Sequence, residues 1–241
     1  MIIMITQAVI LAGGKGTRLR PYTTILPKPL MPLGDKPILE ILLTKLKNAG
    51  IDRVIIATGY LDHIIRAYFG DGSNFGIQIT YSHENEPLGT AGPLKLMEDM
   101  LDSSFLVMNG DLLTDLQFKD LIKYHASSNC ESTVCAFKTE VQLSLGVLVT
   151  DENEQIINYI EKPKYEFDVS MGIYAMNKFG ISLIPENTFF DLPDLIMKLK
   201  KSNKIMKIYK HLGQWLDVGR HDDYSKALEL FETDKRSDFL R

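Results

Sequence analysis

The sequence predicts a three-layer α/β fold, with helices on both faces of a mostly parallel, mixed sheet. Three observations point there. Short unbroken apolar runs alternate with segments of helical periodicity up to about residue 125. Beyond that point the alternation gives way to strand-like runs with few helices between them. A glycine-rich loop follows the first apolar run directly, as loops do at the ends of buried parallel strands.

Residues 8–12 form that first run and end at Gly13 and Gly14. Pro37 then stands where a first helical position would be, Ile38, Leu39, Leu42, Leu43 and Leu46 recur at helical spacing, and Gly50 closes the segment. The pattern repeats with a strand over 54–57 and a helix over 61–69 ending at Gly70. A strand over 77–81, a helix over 91–100, a strand over 105–108 and a helix over 116–125 continue it. Strands are then expected over 132–137, 145–150, 156–160 and 172–176, extending the sheet with some antiparallel pairing and building a lid-like region. A helix from 222 to about 232 ends the fold. No internal repeat, low-complexity tract or linker interrupts the chain, so residues 1–241 read as one domain with two functional halves, about 1–125 and about 126–241.

A chain of 241 residues can bury roughly 70% of its unfolded surface and needs no disulfide or structural metal to do so. Hydrophobic residues make up 45% and charged residues 24%, the composition of a soluble globular protein. The net charge of −4 speaks against nucleic acid or a membrane surface as partner. Cys130 and Cys135 read as reduced thiols. The opening "MIIMITQAVILAGG" has no basic n-region, and Thr6 and Gln7 break its apolar stretch, so it reads as a buried strand rather than a leader. No apolar run approaches the ~20 residues of a membrane span. These features together lead us to expect a soluble, cytoplasmic protein. His63, His83, His125, His211 and His221 show no metal-ligand spacing.

The segment "LAGGKGTRLRPYTTILPKPL", residues 11–30, carries the most chemistry. Gly13, Gly14 and Gly16 let backbone N–H groups approach a phosphate chain, Thr17 adds a hydroxyl, and Arg18 adds a planar fork suited to phosphate oxygens. Lys28, between Pro27 and Pro29, projects a point charge from a stiffened backbone. The loop is neither G-x-G-x-x-G, which disfavours a dinucleotide-binding oxidoreductase, nor G-x-x-x-x-G-K-[ST]. Taken alone, it also fits a tight turn with solvated Arg18 and Lys28.

The whole string resembles the signature G-x-G-T-R-L-x-P-x-T…P-K-P of sugar-1-phosphate nucleotidyltransferases, and in detail is most similar to mannose-1-phosphate guanylyltransferases. The resemblance runs from Ala8 to about Tyr224. It implies a Rossmann-like nucleotidyltransferase fold, with a nucleotide-binding first half and a sugar-phosphate-binding second half. It also implies that Leu11, Ala12, Gly13, Gly14, Gly16, Thr17 and Arg18 hold the nucleotide. "EPLGTAGPL" matches the loop around base and ribose, where Pro87, Gly89 and Thr90 would lie against the ligand, Thr90 opening a helix toward it, and Glu84 would meet the base. Asp111, ending "FLVMNGD", and Asp217, in "GQWLDVG", match the magnesium ligands. "IEKP" supplies Glu161 for sugar hydroxyls and Lys162 for the sugar phosphate, with Gly146 and Gly172 closing over the ring. Trp215 reads as a packing residue beside Asp217.

The resemblance has departures. Leu145 stands where a Tyr is usual, and "SMG" replaces an N-A-G run before Gly172, which leaves the identity of the sugar open. The sequence ends at Arg241 without the left-handed β-helix domain of many relatives, so regulation or assembly through such a domain is not expected. The reaction implied is in-line attack of a sugar-phosphate oxygen on the α-phosphorus of a nucleoside triphosphate, GTP favoured, with pyrophosphate leaving. Arg18, Lys28, Asp111, Lys162 and Asp217 would be the catalytic set, Mg²⁺ the cofactor, the two substrates the partners, and a homo-oligomer is compatible. Two other readings stay open: a cytidylyltransferase acting on a non-sugar phosphate, and a non-catalytic nucleotide-sugar sensor. Retention of all five charged residues together speaks against the sensor.

Overall fold

In a computed structural model, which describes residues 5–232 and Phe239, the chain folds around one seven-stranded sheet. Its first half supplies β1 (Gln7–Leu11), the two-residue strands β2 (Pro32–Leu33) and β3 (Lys36–Pro37), β4 (Arg53–Thr58), β5 (Gln78–His83), β6 (Ser104–Asn109) and β7 (Leu112–Thr114). The second half adds β8 (Ser132–Gln142), β9 (Val147–Thr150), β10 (Ile156–Ile160), β11 (Lys164–Asn177), β12 (Met206–His211) and β13 (Trp215–Asp217). The helices are α1 (Ile38–Asn48), α2 (Asp62–Phe69), α3 (Gly92–Leu96), α4 (Phe118–Ser127), α5 (Leu192–Lys201) and α6 (His221–Glu232). The sheet order is β5-β4-β1-β6-β11-β8-β12, and within it β11 alone runs antiparallel to its neighbours.

Side-chain alternation makes the three layers. Ala8, Ile10, Val54, Ile56, Leu106 and Met108 point to one face, where Leu39, Leu42 and Leu46 of α1, Ile65 and Phe69 of α2 and Leu121 of α4 cover them. Val9, Ile55, Phe105 and Val107 point to the other, beneath Leu94 of α3 and Leu192, Leu195 and Leu199 of α5. A third cluster seats Ala227 and Phe231 of α6 on Leu33, Ile38 and Val218.

Most expected elements are present within a few residues of their expected bounds. Two are corrected. The helix expected over 91–100 stops at Leu96, and a separate 3-10 turn covers Glu98–Met100, because Met97 leaves helical geometry at φ −107° and ψ 17°. The strand expected over 172–176 is only the buried end of β11, which begins at Lys164. Helix α5 and strand β12 were not anticipated, although Leu192, Leu195 and Leu199 keep helical spacing. Among the described residues, strands β9 and β10 pair with each other in a separate two-stranded sheet. Both cysteines are free and buried. Among the described residues no helix is long and apolar enough to cross a membrane.

Candidate active site

Beyond the carboxyl ends of β1, β4, β5 and β6 lies a cleft of about 750 Å³. Open α/β sheets bind ligands there, because the strands around β1 connect in opposite directions and their loops part. Loop geometry accounts for its lining. The chain after β1 runs through Gly13, Gly14, Lys15 and Gly16 into a 3-10 turn at Thr17–Leu19 and passes Arg18 along the rim. Gly59 and Tyr60 follow β4, His83 ends β5 and Glu84 follows it, and Asn109 ends β6 with Asp111 two residues beyond.

The cleft is lined by Leu11, Ala12, Gly13, Gly14, Gly16, Thr17, Arg18, Lys28, Glu84, Pro87, Gly89, Thr90 and Asp111, every one of the expected nucleotide-side positions. Gly13 lies against Glu84: a Cβ there would displace the Glu84 carboxylate from its present position. Glu84 Oε2 accepts a hydrogen bond from the Leu88 N–H at 3.0 Å, tying the end of β5 to the following loop. Burial pushes the Glu84 carboxyl above its ordinary value, against the opposing pull of that N–H.

Thr90 differs from expectation. Its N–H and hydroxyl both donate to Asp191 Oδ1, at 2.8 and 2.9 Å, so they are turned toward the loop before α5 rather than offered to a ligand. The helix that follows starts at Gly92 and is only five residues long. The Phe190 carbonyl accepts from Ala91 and Gly92 N–H, which ties the same two loops together. Lys15, Tyr60, His83, Asn109 and Phe189 also line the cleft and were not singled out from the sequence. Spatial adjacency of loops brings them in, and no local pattern marks them.

Asp111 and Asp217, far apart in the chain, are brought together by β7 and β13. These pair antiparallel with Leu112 opposite Asp217, and the Val218 N–H donates to the Asp111 carbonyl at 3.1 Å. The Lys28 ammonium donates to Asp111 Oδ2 and stands 3.8 Å from Asp217 Oδ1. Asp111 Oδ1 and Asp217 Oδ1 are buried and find no hydrogen-bond partner. Burial first, and the Asp111 charge second, raise the Asp217 carboxyl above its ordinary value, while Lys28 and Arg18 pull the other way. Trp215 packs against Phe137 and donates its indole N–H to the Met171 carbonyl at 3.1 Å, which joins the Asp217 strand to β11.

The acceptor-side residues are placed differently. Glu161 and Lys162 follow β10 in open solvent, outside the cleft lining, with side chains 60% and 59% exposed. Glu161 accepts a hydrogen bond from the Tyr159 hydroxyl at 3.2 Å, and Gly146 lies against the same Tyr159 ring. Gly172 sits in a register shift of β11 with φ +70°, and a Cβ there would come within 2.6 Å of Asn109 Nδ2.

Fold and site together define an α/β protein with a glycine-loop cleft at the carboxyl ends of its parallel strands and a pair of carboxylates beside it. The nucleotidyl transferase family profile matches residues 7–234, and the chain belongs to that family. It is 36% identical to a UTP–glucose-1-phosphate uridylyltransferase of Synechocystis sp., over 92% of this chain and 62% of that protein. It is 35% identical to a mannose-1-phosphate guanylyltransferase catalytic subunit beta of Drosophila melanogaster, over 94% of this chain and 63% of that one. It therefore spans less than two thirds of the length of these relatives. Among solved structures, HddC from Yersinia pseudotuberculosis, complexed with GMP-PN, superposes with a TM-score of 0.73 at 28% identity, covering 95% of this chain and 100% of that one.

Proposed function

We propose that the chain transfers a nucleotidyl group from GTP to a sugar 1-phosphate (mannose, heptose or another hexose 1-phosphate), releasing pyrophosphate and a nucleoside diphosphate sugar, with Mg²⁺ as cofactor. The observation that carries this reading is the Lys28–Asp111–Asp217 cluster beside the glycine loop, at the carboxyl ends of parallel strands. Its similarity to the uridylyltransferase and the guanylyltransferase named above supports the reaction class.

The donor set fits a magnesium ion. Two buried carboxylate oxygens without partners, Asp111 Oδ1 and Asp217 Oδ1, offer hard ligands. Among the described residues no cluster of three or more potential ligands exists, so substrate phosphates and water would complete the shell. When bound, the ion supplies charge neutralisation to the phosphates.

In the reaction, an oxygen of the sugar phosphate forms a bond to the α-phosphorus, the bond from that phosphorus to the bridging oxygen breaks, and the electron pair leaves with pyrophosphate. The nucleophile is already an anion, so the chain needs no general base. Its residues bind and orient two polyanions. Arg18 and the N–H groups around Gly14 hold the β- and γ-phosphates, Lys28 and Lys162 offset the remaining charge, and Glu161 accepts from sugar hydroxyls. Glu84 supports the choice of GTP. A carboxylate only accepts hydrogen bonds, and the guanine edge offers two adjacent donors, whereas uracil and thymine offer one donor between two carbonyls.

Pyrophosphate release with Mg²⁺, measured for five nucleoside triphosphates against a panel of sugar 1-phosphates, tests the proposal. We expect release only when GTP and one sugar phosphate are present together. Release with UTP and not GTP overturns the base assignment, and silence across the panel from folded protein overturns the reaction.

A further inference from the structure

The cluster at the cleft mouth holds more negative charge than its lysine can satisfy. Asp111 and Asp217 face one ammonium, that of Lys28. The ammonium bonds Asp111 Oδ2, but 3.8 Å to Asp217 Oδ1 is beyond a hydrogen bond, and each carboxylate keeps a buried oxygen without a partner. Arg18, the other cation near Asp217, lies along the exposed rim. Lys28 thus stands between the two carboxylates, where a small divalent cation would also be held.

The backbone of Lys28 cannot move far. Pro27 and Pro29 flank it, it opens the 3-10 turn Lys28–Leu30, and the Met31 N–H donates to its carbonyl at 3.0 Å. Its side chain is only 11% exposed and also lines the cleft. Any change of partner must therefore come from rotation of its four-carbon stem. An ammonium, with three donors that turn freely, exchanges partners in this way; a planar guanidinium does so poorly.

We propose that Lys28 is the resident counter-ion of the carboxylate pair, and that it gives way when a divalent cation binds there, its ammonium passing to substrate phosphates in the cleft it already lines. This rests on the cation site assigned under the proposed function. Lys28 then has two successive partners. Before loading, it keeps two carboxylates, each with a buried oxygen, from facing each other uncompensated. After loading, the same charge is free for the phosphates. Metal affinity is consequently weak while Lys28 has nowhere else to go.

The test is Mn²⁺ binding to the full chain without nucleotide, read by electron paramagnetic resonance. A hydrogen bond to a charged group sets the scale, so Lys28→Gln should bind Mn²⁺ about tenfold to a hundredfold more tightly than wild type. Lys28→Arg, which keeps the charge, should bind no more tightly than wild type. Arg18→Gln separates occupancy from the general field, since it removes a nearby cation that does not sit between the carboxylates. We expect its effect to be several-fold smaller than that of Lys28→Gln. Equal gains from Arg18→Gln and Lys28→Gln, or no gain from Lys28→Gln, overturn the exchange. Asp111→Asn in the Lys28→Gln background should abolish the tight site; if it does not, the cation is bound elsewhere and the exchange falls. None of these readouts depends on turnover. A chain that shows the exchange but releases no pyrophosphate refutes the proposed reaction and leaves the exchange standing.

Discussion

Lys28 and Asp111 have side chains only 11% and 16% exposed, whereas Glu161 and Lys162, assigned to the other substrate, are 60% and 59% exposed. The difference follows from what each pair is built on. The phosphate end rests on loops that leave buried parallel strands and are locked to one another, as by Glu84 to Leu88 and Asp191 to Thr90. The proposed acceptor end rests on β9 and β10, which among the described residues form a two-stranded ribbon of mostly exposed side chains, and such a ribbon is marginally stable by itself. One end is held by packed loops. On the proposed function, acceptor binding would order the exposed Glu161 and Lys162 at the other.

The largest break in this contrast comes from Asp111→Ala. It should lower turnover by about 10²–10³, the usual loss of one transition-state contact, with the melting temperature little changed. Turnover close to wild type in a pyrophosphate-release assay would remove Asp111 from the catalytic set. Lys162→Ala should cost about tenfold to a hundredfold in kcat/KM for the sugar phosphate and nothing in thermal stability, since its ion pair with Glu161, at 4.0 Å, is exposed. An equal rise in the KM for GTP would erase the division between the two ends.

A third effect lies at the root of the acceptor half. His125 is buried between Thr133 and Asn177, at 2.9 and 3.3 Å, and burial lowers its pKa from 6.5. The unfolded chain therefore takes up this proton first. The stability His125 contributes is present above pH 6.5 and is lost as pH falls below it, at about 1.4 kcal/mol per pH unit at most. Urea melts between pH 7 and 5 should show that slope, and His125→Gln should flatten it. The smallest effect is expected on the ribbon. Ile157 is 64% exposed, so Ile157→Ser should change stability by no more than about 0.5 kcal/mol. A loss several times larger would mean that the ribbon is covered in solution.

What could be read in the sequence follows the same division. The glycine loop was legible because a buried strand, its terminating glycines and Arg18 lie side by side in the chain, so local spacing describes local geometry. Asp111 and Asp217 were legible only through resemblance, because β7 and β13 bring them together from distant segments. Asp191 was invisible. Its task is to bind Thr90 across more than a third of the chain, and nothing adjacent to it announces that partner. Helix α5 could have been found from Leu192, Leu195 and Leu199 alone. The exposure of Glu161 and Lys162 could not, since a motif reports residue types and spacing but not how firmly they are held.

Strand β11 runs 14 residues as one piece, from exposed positions near Lys164 to buried ones at Ile173–Met176. At its far end it is clamped between β6 and β8, while its first residues pair with β8 alone. Amide protons along this single strand should therefore exchange with solvent over a steep range of rates, slowest beside β6 and fastest near the ribbon, with the register shift at Gly172 as the boundary. A strand usually opens as a unit; this one is a ruler along which the local cost of opening can be read, residue by residue, from the rigid floor of the molecule to its free edge.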